Sequence, residues 1–296
     1  MSPPKKLVVG GGYVGHRVAR RWQAAGHDVA MVTRSAARAT QLAAEGIQPL
    51  VADVMDTATL RNLPHAQSVL FAVARDRQAP YTMHSLYVDG LRHLLDALLP
   101  SPPDRFLYVS STGVYGQTDG EWIDESSPCD PKRPGGVAAL QAEQTLQAHA
   151  IGSRALVLRL AGIYGPGRVP MLETLRRHEP IAADPQSVLN LIHVEDAVEV
   201  IVQADRHPAS PATYLVSDGH PVRRGDYYSY LAELAGLPSP VYVQPDPHAA
   251  ATERGLGHKR VSNRRMCEEI GVRLAFPSYH VGLAAILAAN GTARPL

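Results

Sequence analysis

Cysteine is scarce in this 296-residue sequence, which contains only Cys129 and Cys267. Two cysteines cannot form a disulfide scaffold, and free thiols are typical of a reducing compartment. The sequence also lacks the CxxC and HExxH patterns that bind zinc, and its 13 histidines are scattered. These absences predict a cytoplasmic protein without a bound metal.

Neither sign of charge dominates, since 29 Lys+Arg against 28 Asp+Glu leave a net charge of +1. Such a balance provides no global field that would attract nucleic acid or anionic lipid. No run of about 18 apolar residues occurs, so no segment is predicted to span a membrane. Only Leu7, Val8 and Val9 precede the first glycine, too few for the apolar core of a signal peptide. We therefore expect neither a nucleic-acid partner nor a membrane partner.

Short apolar runs alternate with helical patterns from Lys5 to Arg159. This alternation predicts βαβ units, whose parallel strands are buried on both faces and therefore apolar. The predicted strands are Lys6–Val9, Asp28–Val32, Ile47–Val51, Ser68–Phe71, Arg105–Val109 and Ala155–Leu158. The predicted crossover helices are Val14–Ala25, Ala36–Glu45, Met83–Leu99 and Val137–Ala150. The fold class is therefore α/β, with a doubly wound parallel sheet of six strands.

The alternation loosens after residue 160, where glycine and proline interrupt the pattern. Val188–Ile192 is strand-like, Asp196–Ala204 has helical spacing, and Ser262 and Ser278 are placed to cap two later helices. We therefore divide the chain into a doubly wound domain over residues 1–160 and a mixed segment over residues 161–296. The mixed segment is expected to contribute further sheet elements and a small lobe.

A glycine-rich loop follows the first strand and opens the first helix. Gly10, Gly12 and Gly15 match GxGxxG, in which glycines allow a tight turn, close approach to a pyrophosphate and close helix packing. The helix N-terminus adds amide donors for phosphate. The predicted dinucleotide contacts are Gly10, Gly12, Tyr13, Val14 and Gly15, with Ala72 after the fourth strand. The alternative is a glycine-rich turn without a ligand.

The end of the second strand indicates which dinucleotide would bind. An NAD site requires Asp or Glu there, to bind the ribose 2′-hydroxyl, but this sequence has Thr33-Arg34-Ser35. Arg34 and Arg38, one helical turn apart, are suited to a 2′-phosphate and favour NADP over NAD. The alternative is that both arginines only begin a solvated helix. Asp53, after the third strand, is suited to accept from the adenine amino group or to cap its own loop.

Several segments carry a resemblance to a known family. Phe106–Gly116, which reads FLYVSSTGVYG, resembles the YVSSxxVYG segment of the extended short-chain dehydrogenase/reductases, the NAD-dependent epimerase/dehydratase group. Val88–Ala97 resembles that group's NVxGTxNLLEA helix, and Leu158–Arg168 resembles its LRxxGIYGPGR turn. Asn190–Asp196, Tyr214–Asp218 and Lys259–Asn263 resemble NRIHVDD, YNVSD and KRVSN. The resemblance covers nearly the whole chain.

The resemblance implies an NAD(P)-binding Rossmann domain with a small C-terminal substrate lobe, and redox, epimerisation or dehydration of sugar-like substrates. It also implies a catalytic triad, whose serine corresponds to Ser111. The tyrosine and lysine of the family's YxxxK fall on Gly135 and Ala139, counted back from Glu143 of the following Ala-Glu pair. Glycine and alanine can neither donate a proton nor lower the pKa of a donor. The resemblance is therefore to an atypical branch of the family.

Two tyrosines are candidates to replace the missing acid. Tyr115 follows Ser111 at the same sheet edge, and we predict both as catalytic. Tyr164 and Arg168, in the turn after the sixth strand, are predicted to contact the substrate. Lys132 is a further candidate, since it precedes the helix in which Gly135 and Ala139 occupy the tyrosine and lysine positions. Each residue has a structural alternative, because such tyrosines commonly pack as wall residues, a serine can bond the next turn, and charged loop residues are commonly solvated.

Two functional hypotheses follow. The first is an NADP-dependent oxidoreductase or epimerase-like enzyme, which acts on a small hydroxyl or carbonyl compound through a non-standard acid or a water relay. The second is a catalytically inactive NADP(H)-binding sensor that kept the cofactor cleft, a reading supported by Gly135 and Ala139. The family resemblance further implies a homodimer that pairs through Met83–Leu99 and Val137–Ala150.

Overall fold

The computed structural model describes residues 5–75, 80–207, 210–244 and 257–289. Its strands are β1 (Lys5–Val9), β2 (Asp28–Thr33), β3 (Gln48–Val51), β4 (Ser68–Phe71), β5 (Arg105–Ser111), β6 (Trp122–Ile123), β7 (Ala155–Leu160), β8 (Gly162–Tyr164), β9 (Ile181–Ala182), β10 (Val188–Leu189), β11 (Leu191–His193), β12 (Ala212–Val216), β13 (Val222–Arg223), β14 (Tyr242–Val243) and β15 (Arg260–Val261).

The α-helices are α1 (Gly15–Ala24), α2 (Ala36–Ala44), α3 (Gly90–Leu98), α4 (Pro134–Ala148), α5 (Leu172–Arg176), α6 (Val194–Arg206), α7 (Arg224–Leu234) and α8 (Tyr279–Ala289). Short 3-10 helices occur at Thr57–Leu60, Thr112–Val114 and Ala150–Arg154, and π-helical turns at Ser85–Asp89 and Met266–Ile270. Within the described ranges, no helix has the length and apolar character needed to span a bilayer.

Seven strands form one sheet, in the order β12-β7-β5-β4-β1-β2-β3. The pairs β1–β2, β1–β4, β2–β3 and β4–β5 are all parallel. Because the strand order reverses between β1 and β4, the chain leaves a crevice at the carboxyl ends of these strands. The doubly wound α/β fold predicted from the sequence is confirmed. β12 joins the sheet beside β7 as a seventh strand, from the segment over residues 161–296 that was expected to contribute further sheet elements.

The chain divides into two compact units, and each is assembled from separate stretches of sequence. The first contains Met1–Val114, Pro131–Arg159 and Val198–Tyr214. The second contains Tyr115–Asp130, Leu160–Ala197 and Leu215–Leu296.

The core of the first unit lies between the sheet and its helices. Leu7, Val69 and Phe106 come from adjacent strands and are fully buried. Leu91 and Leu94 of α3 belong to the same core cluster, as their spacing on one helical face requires. Strands that are apolar on both faces can be accommodated only in the middle of such a sheet.

A buried ion pair ties α4 to the sheet in the first unit. The Arg159 Nη2 of β7 lies 2.6 Å from the Glu143 Oε2 of α4, and Arg159 Nε donates to Glu143 Oε1 at 3.1 Å. The Ser110 hydroxyl of β5 donates to the same Oε1 at 2.5 Å. Both charged side chains are almost fully buried. A buried carboxylate of this kind is tolerated only because each of its oxygens is hydrogen-bonded and its charge is matched.

A second apolar core is present in the other unit. Tyr164, Tyr227 and Leu283 are fully buried in it, together with α7 and α8. Gly282 permits the close approach of α8, because a Cβ there would overlap the Tyr164 hydroxyl. Short strand pairs surround this core, of which β8–β11, β9–β14 and β6–β15 are parallel and β10–β13 is antiparallel.

Two helix boundaries differ from the sequence prediction. The helix predicted from Val137 begins at Pro134, because proline is pre-organised for the first helical position although Gly135 and Gly136 follow it. The continuous helix predicted over Met83–Leu99 instead opens with the π-helical turn Ser85–Asp89 before α3. Neither proline-glycine starts nor wide turns have a periodicity that sequence patterns can reveal.

The strand predicted over Val188–Ile192 is two strands, β10 and β11, in different sheets. Asn190 separates them, and both polar atoms of its side-chain amide bond one distant segment of the chain. Its Nδ2 donates to the Lys259 carbonyl at 2.8 Å, and its Oδ1 accepts from the Val261 N–H at 2.8 Å. These partners are far away in sequence, so the apolar run alone could not show the break.

Candidate functional site

A cleft of about 210 Å³ opens in the first unit where the strand order reverses. Its walls are the glycine loop after β1, the segments that follow β2, β3 and β4, and Leu86. Five of the predicted cofactor contacts line it, namely Gly10, Gly12, Arg34, Arg38 and Asp53. Ligands of doubly wound folds bind at this point of the sheet.

Three glycines give the loop its shape, each for a different reason. Gly10 has φ +104°, and a Cβ there would lie 2.5 Å from the backbone of Ala72. A Cβ on Gly15 would overlap the carbonyl oxygen of Gly10. A Cβ on Gly12 would meet nothing within 4 Å, so this residue faces open space at the cleft wall. The loop is thus tightly folded on its protein side and bare on its cleft side, which fits a dinucleotide pyrophosphate.

The remaining predicted contacts lie beside the cleft lining rather than in it. Val14 and Gly15 are buried at the start of α1, and the Ala72 backbone packs closely against Gly10. Tyr13 carries the Arg17 guanidinium over its ring at 4.2 Å. Their direct contact with a cofactor stays a prediction, whereas their packing shapes the loop.

The end of β2 presents basic side chains to the cleft. Arg34 is exposed and Arg38 half-buried, and both line the cleft together with Thr33. The Ser35 hydroxyl caps α2 by accepting from the Arg38 N–H at 3.2 Å. This cap places Arg38 in the first turn of α2, on the side of the cleft.

Asp53 lines the cleft and also caps its own loop. Its Oδ1 accepts from the Met55 N–H at 2.9 Å, and its Oδ2 accepts from the Tyr81 hydroxyl at 3.3 Å. The charge of Asp53 raises the pKa of Tyr81 above its ordinary value. The loop-cap interpretation therefore holds in the structure, and a bond to adenine stays a prediction for the same carboxylate.

Ser111 ends β5 next to the first turn of α4. Its Oγ accepts from the Gly113 N–H at 3.0 Å, so the hydroxyl is oriented by its own turn. A Cβ on Gly136 would overlap the Gly113 carbonyl oxygen, which shows how closely this turn packs on α4. Gly135 and Ala139 lie one turn apart on the same helix. A Cβ on Gly135 would meet the Met83 sulfur at 3.2 Å.

The tyrosines proposed to replace the acid are both buried in the second unit. Tyr115 is 2% exposed and its hydroxyl donates to the Asp124 carbonyl at 3.0 Å. The Tyr164 hydroxyl donates to the Ser278 carbonyl at 3.3 Å, and burial raises the pKa of this phenol well above its ordinary value. Their chemical roles stay predictions, and either role would require the phenol to exchange its present acceptor.

The predicted cationic candidates, Arg168 and Lys132, are exposed. Arg168 lies in the turn that its backbone closes with Gly165.

Asp218 in the second unit is buried, and desolvation raises its pKa to about 7. Over the described ranges, no group of His, Cys, Asp and Glu is arranged to hold a metal ion.

Sequence reasoning missed the apolar part of the cleft, which includes Met31, Val73, Ala74 and Leu86. A signal for Val73 and Ala74 was present, because residues that follow β4 must border the loop after β1 in a doubly wound sheet. Met31 had no such signal. It contacts the cleft because the missing side chain of Gly11 leaves room for its sulfur, 2.5 Å from where a Cβ would be.

The fold and cleft together define a protein of the dinucleotide-binding Rossmann class. More specifically, the chain belongs to the NAD dependent epimerase/dehydratase family, whose model matches residues 6–217. The family membership inferred from the sequence motifs is thereby confirmed.

Similar proteins cover most of the chain. Protein YeeZ of Escherichia coli K12 is 27% identical over 279 residues, which are 92% of this chain and 96% of YeeZ. The 4-hydroxy-2-methyl-3-oxo-4-farnesyl-3,4-dihydroquinoline-1-oxide ketoreductase of Stigmatella aurantiaca is 30% identical over 254 residues, 80% of this chain and 75% of that protein. The solved structure of a functionally unknown conserved protein from Silicibacter pomeroyi has a TM-score of 0.78 at 32% identity, covering 97% of this chain and 99% of that one.

Proposed function

We propose that this protein is an NADP(H)-dependent enzyme that interconverts a carbonyl and a hydroxyl group on a small substrate. The observation that carries the proposal is the glycine-loop cleft, which has Arg34 and Arg38 on its wall. Family membership supports a nicotinamide dinucleotide, and similarity to a ketoreductase supports a carbonyl as the reacting group. When bound, the nicotinamide would supply or accept the hydride.

The choice of NADP over NAD follows from charge. A carboxylate at the end of β2 would bind a ribose 2′-hydroxyl and repel a 2′-phosphate. This chain has Thr33, Arg34 and Ser35 at that place, and the arginine lines the cleft. Guanidinium groups bind phosphate oxygens through paired charge-assisted hydrogen bonds. Arg34 and Arg38 are therefore the residues that would hold the phosphate.

Replacement of Arg34 by alanine tests this choice. We expect the Arg34→Ala variant to bind NADPH about tenfold more weakly, since one charge-assisted contact is lost, with NADH affinity unchanged. Calorimetric titration of both dinucleotides measures the ratio. The matched control is Arg61→Ala, which removes an exposed arginine of the same unit that does not line the cleft. Equal weakening of both dinucleotides, or of neither, would contradict a 2′-phosphate site at Arg34.

Ser111 is the residue that we propose to hold the substrate oxygen. Its Oγ already accepts from Gly113, so its own proton is oriented to donate to another acceptor. Gly135 and Ala139 contain no titratable group, and the Tyr115 hydroxyl donates to a backbone carbonyl. We therefore propose that a water molecule at Ser111 relays the proton to the substrate.

The Ser111→Ala variant distinguishes an enzyme from a sensor. We expect turnover of the carbonyl substrate to fall by about a hundredfold, with the NADPH dissociation constant unchanged, since one positioned donor is lost. The assay follows NADPH oxidation by absorbance against a panel of small ketones, quinones and nucleotide sugars. Ser153→Ala, at an exposed serine of the same unit, is the control and should behave as wild type.

A second candidate function is a sensor of NADP(H) that carries out no reaction. The observation that favours it is the absence of any acid or ammonium on α4 at Gly135 and Ala139. Wild-type protein that binds NADPH yet oxidises it with no member of the panel would select the sensor. Turnover that survives Ser111→Ala undiminished would instead remove Ser111 from the reaction.

A further inference from the structure

One carboxylate is shared by three basic side chains beside the cofactor cleft. Glu45 caps the C-terminus of α2 and lies against α1. Its Oε2 is 2.6 Å from His16 Nε2 and 3.9 Å from Arg20 Nη1, both on α1. Its Oε1 is 3.8 Å from Arg38 Nη1. The same Arg38 lines the cleft, so the negative charge of Glu45 lies directly behind a residue of the cofactor site.

Arg38 is oriented by a different neighbour. Its Nη1 donates to Gln41 Oε1 at 2.9 Å, a normal hydrogen bond within α2. The distance of 3.8 Å to Glu45 is too long for a hydrogen bond. Glu45 therefore acts on Arg38 through its charge, whereas Gln41 determines where the guanidinium lies.

Glu45 is held in place by its neighbours, and its carboxyl group is favoured in the ionised form. The hydrogen bond from His16 lowers the pKa of this carboxyl, and the charges of His16, Arg38 and Arg20 lower it further. Gln23 Nε2 donates to the Glu45 backbone carbonyl at 2.9 Å and anchors the residue. Its side chain is 28% exposed and in contact with solvent, so its effect on a bound phosphate is partly screened by salt. An anion bound by Arg38 would lie near the carboxylate of Glu45 and would be repelled by it, because both are negatively charged.

We infer that Glu45 is a specificity-determining residue that weakens the binding of a 2′-phosphate and so limits the preference for NADP(H) over NAD(H). The inference rests on the proposed function, since it concerns the same arginines. A 2′-phosphate carries up to about two negative charges, whereas a 2′-hydroxyl carries none. Both dinucleotides carry the charge of the pyrophosphate, so only the repulsion between Glu45 and the 2′-phosphate distinguishes NADP(H) from NAD(H). Arg34 and Arg38 attract the phosphate, and Glu45 sets how strongly they do so.

The Glu45→Gln variant tests this inference, because glutamine keeps an oxygen that accepts from His16 and removes the charge. We expect NADPH to bind about three- to tenfold more tightly and NADH to gain clearly less, with both gains shrinking as salt is added. Glu45→Asp keeps the charge and should retain wild-type affinities. Glu173→Gln is the matched control, since it removes one negative charge from an exposed Glu–Arg pair in the other unit.

The outcomes separate this inference from the proposal on which it rests. A Glu45→Gln variant whose NADPH to NADH affinity ratio equals that of wild type overturns the inference, while a wild-type preference for NADPH that Arg34→Ala removes leaves the NADP proposal standing. Equal changes for both dinucleotides assign Glu45 a merely structural role and also overturn the inference. Wild-type protein without preference for NADPH, and with no response to Arg34→Ala, overturns both.

Discussion

The Gly15→Ala variant is expected to bind NADPH about a hundredfold more weakly than wild type, a loss of about 2.7 kcal/mol. The added Cβ would overlap the carbonyl oxygen of Gly10 and lie 3.2 Å from the Val8 side chain. The obstructing oxygen belongs to the backbone, so it cannot rotate away. The loop must open and α1 must shift, which misplaces the amide donors at the helix start. Overpacking of this kind also lowers the free energy of unfolding by about 1–3 kcal/mol.

Gly12→Ala is the matched variant, since it adds the same methyl group to the same loop. Nothing lies within 4 Å of the Cβ that it introduces, so the unfolding temperature should not change. Gly12 nevertheless lines the cleft, and a methyl group there would occupy space that a pyrophosphate needs. Thermal unfolding and NADPH titration together separate loop strain from direct contact. If Gly15→Ala had wild-type affinity and stability, the loop would accommodate the added Cβ without strain, and this prediction would be wrong.

The Glu143→Ala variant is expected to lose about 3–5 kcal/mol of unfolding free energy. Glu143 accepts from Arg159 and from the Ser110 hydroxyl, and both charged groups are almost fully buried. Without the carboxylate, the guanidinium would remain in an apolar interior with its charge unmatched. The hydrogen bonds of Glu143 connect α4 with β5 and β7, so we expect the packing of α4 on the sheet to be weakened. Urea unfolding followed by circular dichroism measures it.

A double variant distinguishes an unmatched charge from lost packing. In Glu143→Met combined with Arg159→Met, neither charge is left alone, and apolar side chains of similar length fill the space. We expect this variant to be more stable than Glu143→Ala. Glu173→Ala, which breaks an exposed ion pair with Arg176, should leave stability nearly unchanged. A Glu143→Ala protein as stable as wild type would show that Arg159 is satisfied without the carboxylate.

The parts of the fold that were predictable are those encoded locally. β1, β2, β4 and β5 are apolar runs that need no partner to be recognised, and each lies within a residue or two of its predicted bounds. The glycine loop was predictable for a related reason, since its spacing, preceding strand and following helix are all neighbours in sequence. Gly10, Gly12 and Arg34 were found in the cleft because strand ends meet at one edge of a parallel sheet.

The parts that were not predictable depend on contacts between distant residues. β12 joins the sheet through β7, although its sequence lies beyond the region where strands and helices alternate. Asn190 divides an apolar run because its amide bonds the segment around Lys259 and Val261. The burial of Tyr115 and Tyr164, with hydroxyls bonded to backbone carbonyls, likewise follows from the packing of the second unit. No spacing rule in the sequence carries that information.

The sequence by itself determined the fold class, the glycine loop, the basic end of β2 and the absence of tyrosine and lysine from α4, because each is a property of residue identity or short-range order. Only the tertiary structure decided which of these side chains share a cleft and which are already bonded elsewhere. It placed Glu45 at the end of α2 against His16 of α1 and matched Glu143 with Arg159 inside the core. Such pairings depend on how helices and strands pack, since packing brings charges together that the chain holds apart.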